Sequence, residues 1–108
     1  MDMMQKIRDC FEFETIFYTR HAKYEMENEE FGRIYEHEVY EAVYNGETLE
    51  EYPDDKPYPS ILIFGRTASN RPLHTVYAYD KIGNLAVIIT VYQPNPELWI
   101  EHKRRKKP

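Results

Sequence analysis

Residues 72–92, PLHTVYAYDKIGNLAVIITVY, decide how this chain folds. Two runs rich in β-branched and aromatic residues, PLHTVYAYD and NLAVIITVYQ, alternate in character and are joined through DKIGN, a connection of common hairpin length. They read as neighbouring antiparallel strands. In the first, Leu73, Thr75, Tyr77 and Tyr79 share one face, while His74, Val76 and Ala78 share the other. In the second, alternation puts Leu85, Val87, Ile89 and Val91 in the core and turns Thr90 and Tyr92 away from it. Pairing through the turn sets His74 across from the Thr90–Tyr92 end, so a histidine, a threonine and a tyrosine gather at one end of a sheet.

Working outward, PSILIFGRT reads as a central strand and ETLEEY as an edge strand, separated by Pro and Gly signals. Before Gly46 the period is helical instead. A first amphipathic helix covers residues 2–12, with Met4, Ile7, Cys10 and Phe11 at helical spacing. A second, capped by Thr19, covers 20–30 with Ala22, Met26 and, at the margin, Tyr24 facing inward. A third covers 36–44 on Val39, Ala42 and Val43, and the following NG supplies a left-handed stop. TIFYT, between the first two helices, reads as a short apolar bridge. The sum is an α+β fold whose N-terminal helices cover one face of an antiparallel sheet of about four strands.

With 108 residues the chain has room for one hydrophobic core, so residues 1–108 form a single domain, with 101–108 a basic tail. Apolar residues at 42% and ten tyrosines make the composition globular rather than disordered. The longest apolar run, LAVIITVY, falls far short of the roughly 18–20 residues that cross a bilayer. MDMMQKIRDC lacks the basic-then-apolar order of a signal peptide, so the expected place is the cytoplasm, with no membrane contact. A single cysteine, Cys10, allows neither an internal disulfide nor a Cys-rich zinc site and reads as a packing residue. His37 has no second histidine at helical spacing, which removes a zinc-protease motif; neither a metal nor a cofactor is expected.

The net charge of -5 is unevenly spread: residues 25–55 are mostly acidic, whereas 66–71 and the terminal HKRRKKP are basic. The tail either grips a polyanion or solubilises the chain. Arg66 and Arg71 flank the loop GRTASNR near the His74 end of the sheet, and the guanidinium fork suits a phosphate. His21 sits one residue inside the second helix beside Arg20 and Lys23, where unpaired backbone N–H groups and the helix dipole attract anions. These are the parts of a metal-independent ribonuclease. His74 and His21 would serve as general base and acid, Arg66 and Arg71 would hold the scissile phosphate, and Tyr92 would position the 2′-hydroxyl or stack on a base. That chemistry requires the His74 ring to open onto a cleft.

YTRHAKYEM, VYEAVYNGETLEEYP, PSILIFG, RPLHTVYAYD and IITVYQPNPELW, in that order over residues 16–100, resemble a small prokaryotic domain-of-unknown-function family, number forty-two fifty-eight. The resemblance implies a RelE-like, BECR-type fold, helices followed by a curled antiparallel sheet and then a short C-terminal helix or the basic tail. It also implies kinship with small MqsR-like and BrnT-like toxins of type II toxin–antitoxin modules, which cut messenger RNA without a metal. The implied partner is a cognate antitoxin of zinc-finger or helix-turn-helix type. The matching positions are His21, Arg71, His74, Thr90, Tyr92 and Trp99, with Arg20, Lys23, Arg66, Thr90 and Trp99 the expected substrate contacts. Where the family usually carries basic residues after the HA motif, this chain has Glu25, Glu29 and Glu30. An acidic face repels RNA, so the alternative expectation is a catalytically inactive binding module of the same fold contacting a partner protein or nucleic acid.

Overall fold

The computed structural model describes residues 2–105. Its element order is α1 (Met3–Glu12), β1 (Ile16–Tyr18), α2 (Arg20–Glu27), α3 (Glu36–Tyr44), β2 (Glu47–Tyr52), β3 (Ser60–Arg66), β4 (Pro72–Asp80), β5 (Leu85–Tyr92), β6 (Trp99–Ile100) and β7 (Arg104–Arg105). The α+β class stands, but the sheet is larger and mixed. Five strands run in the order β1-β5-β4-β3-β2, with β1 parallel to β5 and the other pairs antiparallel. The TIFYT bridge is therefore an edge strand, too short at three residues for alternation to mark it.

Each helix starts where a side chain satisfies its open N–H groups. Asp2 accepts from Met4 N, Thr19 Oγ1 accepts from Ala22 N, and Glu38 reaches back to Tyr35 N. The second helix ends at Glu27, three residues earlier than its sequence pattern suggests, because Asn28 caps it and donates to Tyr24 O. All three helices pack on one sheet face. Met4, Ile7, Cys10, Ala22, Met26, Val39 and Val43 meet Ile61, Ile63, Leu73, Tyr77, Ala86, Ile88 and Val91 there.

Gly46 is not a left-handed stop, since Gly32 is the described glycine with positive φ. What requires glycine beneath α3 is close approach. A Cβ on Gly65 would lie 1.8 Å from Ala42 O, and one on Gly46 would lie 2.7 Å from an Ile63 methyl.

Simple alternation also misplaces β5. Val76 pairs with Thr90 but Tyr77 pairs with Ile88, so Ile89 is an extra, bulged residue. Before the bulge Ala86 and Ile88 face the helices; after it Val91 does, and Ile89 is exposed. The expected core set Leu85, Val87, Ile89, Val91 is thus correct only at Val91. Because of the bulge, Thr90 and Tyr92 still fall on the face opposite the helices.

That second face is covered at the His74 end. Beyond Pro94 the chain turns back as the β6–β7 hairpin, whose turn is closed by Lys103 N–H to Ile100 O with Glu101 and His102 both left-handed (φ 52° and 64°). Up to Arg105 the expected tail or helix is this strand pair, and residues 106–108 of the tail lie outside the described residues. Among the described residues no helix is long and apolar enough to cross a membrane.

Candidate active site

β1 pairs with β5 only as far as Ile88, so among the described residues the outer edge of β5 beyond it has no strand neighbour. Side chains from the start of α2 take over that role. Thr19 Oγ1 donates to Ile89 O, and Glu25 Oε1 accepts from Val91 N at 3.2 Å and from the Thr90 hydroxyl. His21 and Glu25 stand one turn apart on the same helix face, and His21 Nε2 lies 3.4 Å from Glu25 Oε1. The imidazole is two-thirds exposed, the carboxylate only a quarter.

This edge forms one wall of a hollow of about 520 Å³, lined on the α2 side by His21, Tyr24, Glu25, Asn28, Glu29 and Glu30. The opposite side is Tyr92, Gln93 and Asn95 from the end of β5, and Leu98, Trp99 and Arg105 from the C-terminal hairpin. The Arg105 guanidinium lies 5.5 Å from the centre of the Trp99 ring.

His74 is behind this wall, not in it. Expected to open onto a cleft, its ring is fully buried, with Trp99 edge-on at 4.5 Å, Tyr92 at 5.2 Å and Phe64 at 5.8 Å. Nδ1 is 3.1 Å from Tyr92 Oη, and Nε2 meets the backbone carbonyl of His102. A carbonyl only accepts, so Nε2 carries the hydrogen; in the neutral ring Nδ1 then accepts from the Tyr92 hydroxyl. Burial pushes the His74 pKa down from 6.5 and so favours the neutral ring, while the hydrogen bond to the His102 carbonyl pulls the other way. Burial raises the Tyr92 pKa above its ordinary 10.0, with Arg105 pulling against it, so the phenol keeps its proton. Glu29 is likewise raised by desolvation and drawn back by the Gln93 and Phe31 backbone N–H groups and by Arg71.

None of the sequence-derived arginines, Arg20, Arg66 and Arg71, lines the hollow. Arg71 was expected to hold phosphate, but its donors are engaged within the protein. Nε donates to Gln93 Oε1 at 2.7 Å, one terminal nitrogen to Arg33 O at 2.9 Å and Glu38 Oε1 at 3.2 Å, and the other to Gly32 O. It pins the loop between α2 and α3 to the sheet. Arg66 lies across the hairpin, over the Phe64 ring and 3.4 Å from His102 Nδ1. Arg20 and Lys23 are exposed on α2 outside the hollow. Thr90 is adjacent to it and bonded to Glu25, whereas Trp99 both lines it and seals His74.

Sequence reasoning therefore brings together His21, Tyr92, Trp99 and, one layer behind, His74. It misses Arg105 as the cation of the site and treats Glu25 only as a repulsive charge. The four-residue spacing of His21 and Glu25 is the signal that pairs them.

The family model described as "Domain of unknown function (DUF4258)" matches residues 18–93 of the 108. The chain belongs to this family. The DUF4258 span starts at the end of β1 and stops just past β5, so it holds the α2 wall, His74 and Tyr92 but not the C-terminal hairpin that closes over them. No curated protein and no solved structure matches the chain significantly.

Proposed function

We propose that the protein is a metal-independent endoribonuclease, a RelE-like cytoplasmic toxin with a cognate antitoxin as its partner, cutting RNA in the hollow between α2 and the hairpin. One observation carries the reading: an exposed imidazole, a phenol backed by a second, buried imidazole, and a guanidinium open on a single hollow. The 2′-hydroxyl proton passes to the Tyr92 oxygen as the phenol proton moves to His74 Nδ1. The 2′-oxygen then attacks phosphorus, the P–O5′ bond breaks, and the protonated His21 ring, held by Glu25, gives its proton to O5′. The products are a 2′,3′-cyclic phosphate and a 5′-hydroxyl. The imidazolium formed at His74 has two acceptors already in place, the Tyr92 oxygen and the His102 carbonyl, and Arg105 offsets charge on the phosphorane.

The test is incubation with single-stranded RNA in EDTA, reading product ends. Cleavage to cyclic phosphate, reduced about 100-fold or more by Tyr92→Phe and by His21→Ala, is the expected result. Glu25, Glu29 and Glu30 in the same hollow favour a second reading, a catalytically inactive module that holds a partner protein or nucleic acid. RNA that is bound but left intact would replace the first reading with the second.

A further inference from the structure

Residues 102–105 of the basic end are built into the fold. His102, Lys103, Arg104 and Arg105 form the turn and second strand of the hairpin, in a chain whose net charge is -5. The hairpin is fixed at three points: Trp99 is packed on His74, His102 is stacked on Phe64 with ring centres 6.0 Å apart, and Lys103 Nζ is 2.8 Å from Glu47 Oε1. Two guanidinium groups lie over aromatic rings beside it, 5.5 and 5.6 Å from the ring centres. Arg105 is over Trp99 at the rim of the hollow, and Arg66, from β3, is over Phe64 and against His102 at the turn. Arg104, exposed, precedes Arg105 on β7 and pairs with Ile100. From His102 in the turn to Arg105 on β7 the chain reaches at most about 10 Å, the span of a short run of nucleotides. Guanidinium groups held over rings lose less freedom on binding a phosphate than those on loose side chains.

We propose that this hairpin, with Arg66, is a track for the phosphate backbone of single-stranded RNA, leading the strand past Arg104 and Arg105 so that one unpaired base enters the hollow beside Tyr24 and Trp99. The proposal rests on the hollow being an RNA site, and it adds the substrate class: a paired base cannot enter, whereas a single strand stacks on the exposed Tyr24 ring and keeps its phosphates on the track. None of the track residues except Arg66 lies within the residues the family model covers.

The experiment is fluorescence anisotropy of the full chain with a 2′-O-methyl single-stranded oligonucleotide, which cannot be cut, at salt from about 50 to 200 mM. The logarithm of the binding constant is expected to fall linearly with the logarithm of salt concentration. Arg66→Ala and Arg104→Ala are each expected to reduce the steepness by about 0.7 and weaken binding several-fold at low salt. Arg66→Lys and Arg104→Lys, which keep the charge, retain the slope and guard against a folding artefact. A duplex of the same sequence binds more weakly. Slopes and affinities unchanged in the Ala variants, or a duplex bound as tightly as the single strand, would overturn the track. So would poly-glutamate binding more tightly than an oligonucleotide of equal charge, which points to an acidic protein partner. Binding that depends on the track, together with failure to cut ordinary RNA, removes the cleavage mechanism and leaves the track standing.

Discussion

Lowering the pH should destabilise the protein through His74, and the size follows from its surroundings. The ring is sealed and neutral, with its pKa held below 6.5 first by burial. In the unfolded chain the same imidazole titrates near 6.5. The stabilising effect is therefore fully present above pH 6.5 and is lost as the pH falls below it, because the unfolded chain takes up a proton more readily than the native ring does. One proton per molecule corresponds to a slope of about 1.4 kcal/mol per pH unit, down to the native pKa. His74→Gln removes the titration while keeping an amide to donate to the His102 carbonyl and an oxygen to accept from Tyr92. His21 and His37, remote from the ring, are common to both proteins and cancel in the difference, whereas Tyr92, His102 and Glu50 face the ring and belong to the effect being read. Urea unfolding followed by circular dichroism at pH values from about 8 to about 5.5 gives that difference directly. The wild-type advantage should be constant above about pH 7 and shrink at close to the stated slope below 6.5. Parallel stability curves through the whole range would mean that the ring takes a proton in the folded state as readily as in the unfolded one, and the sealed, neutral His74 would have to be abandoned.

Two further outcomes test the frame around the site. Gly65→Ala should lower stability by about 3 kcal/mol, seen as a fall in Tm, because the new Cβ would meet Ala42 O at 1.8 Å and α3 must move off β3 to admit it; an unchanged melt contradicts the close approach. Arg71→Met should cost about 2 kcal/mol in urea unfolding, less than for a sealed ion pair because Arg71 and Glu38 keep some contact with water, while RNA binding persists. Full stability with lost RNA binding would restore Arg71 as a phosphate ligand.

β4 was legible to the residue because nine residues alternate without a break between Pro72 and Asp80. β5 was legible as a strand but not in its facing. A bulge changes no residue type, and Ile89 looks like any other core isoleucine until the pairing with β4 is known. β1 was invisible as a strand because its three residues become one only by lying alongside β5, some 70 positions away. The neighbourhood of His74 and Tyr92 followed from the hairpin, and the structure pairs the two directly. The burial of His74 did not follow, because its cover is a segment whose charge reads as a solvated tail and whose apolar content is little more than Trp99 and Ile100. Arg71 misled for a related reason. Its place in the sequence puts its Cα near the site, but the carbonyls of Gly32 and Arg33 and the carboxylate of Glu38, all distant in sequence, determine where its guanidinium goes.

The acceptor that fixes the His74 tautomer is a main-chain oxygen, that of His102. Replacing the side chain at 102 leaves the residue its main-chain oxygen, whereas inserting or deleting one residue between Trp99 and Arg105 shifts the hairpin register that brings this oxygen to the ring. The spacing of this segment is thus under tighter control than its spelling.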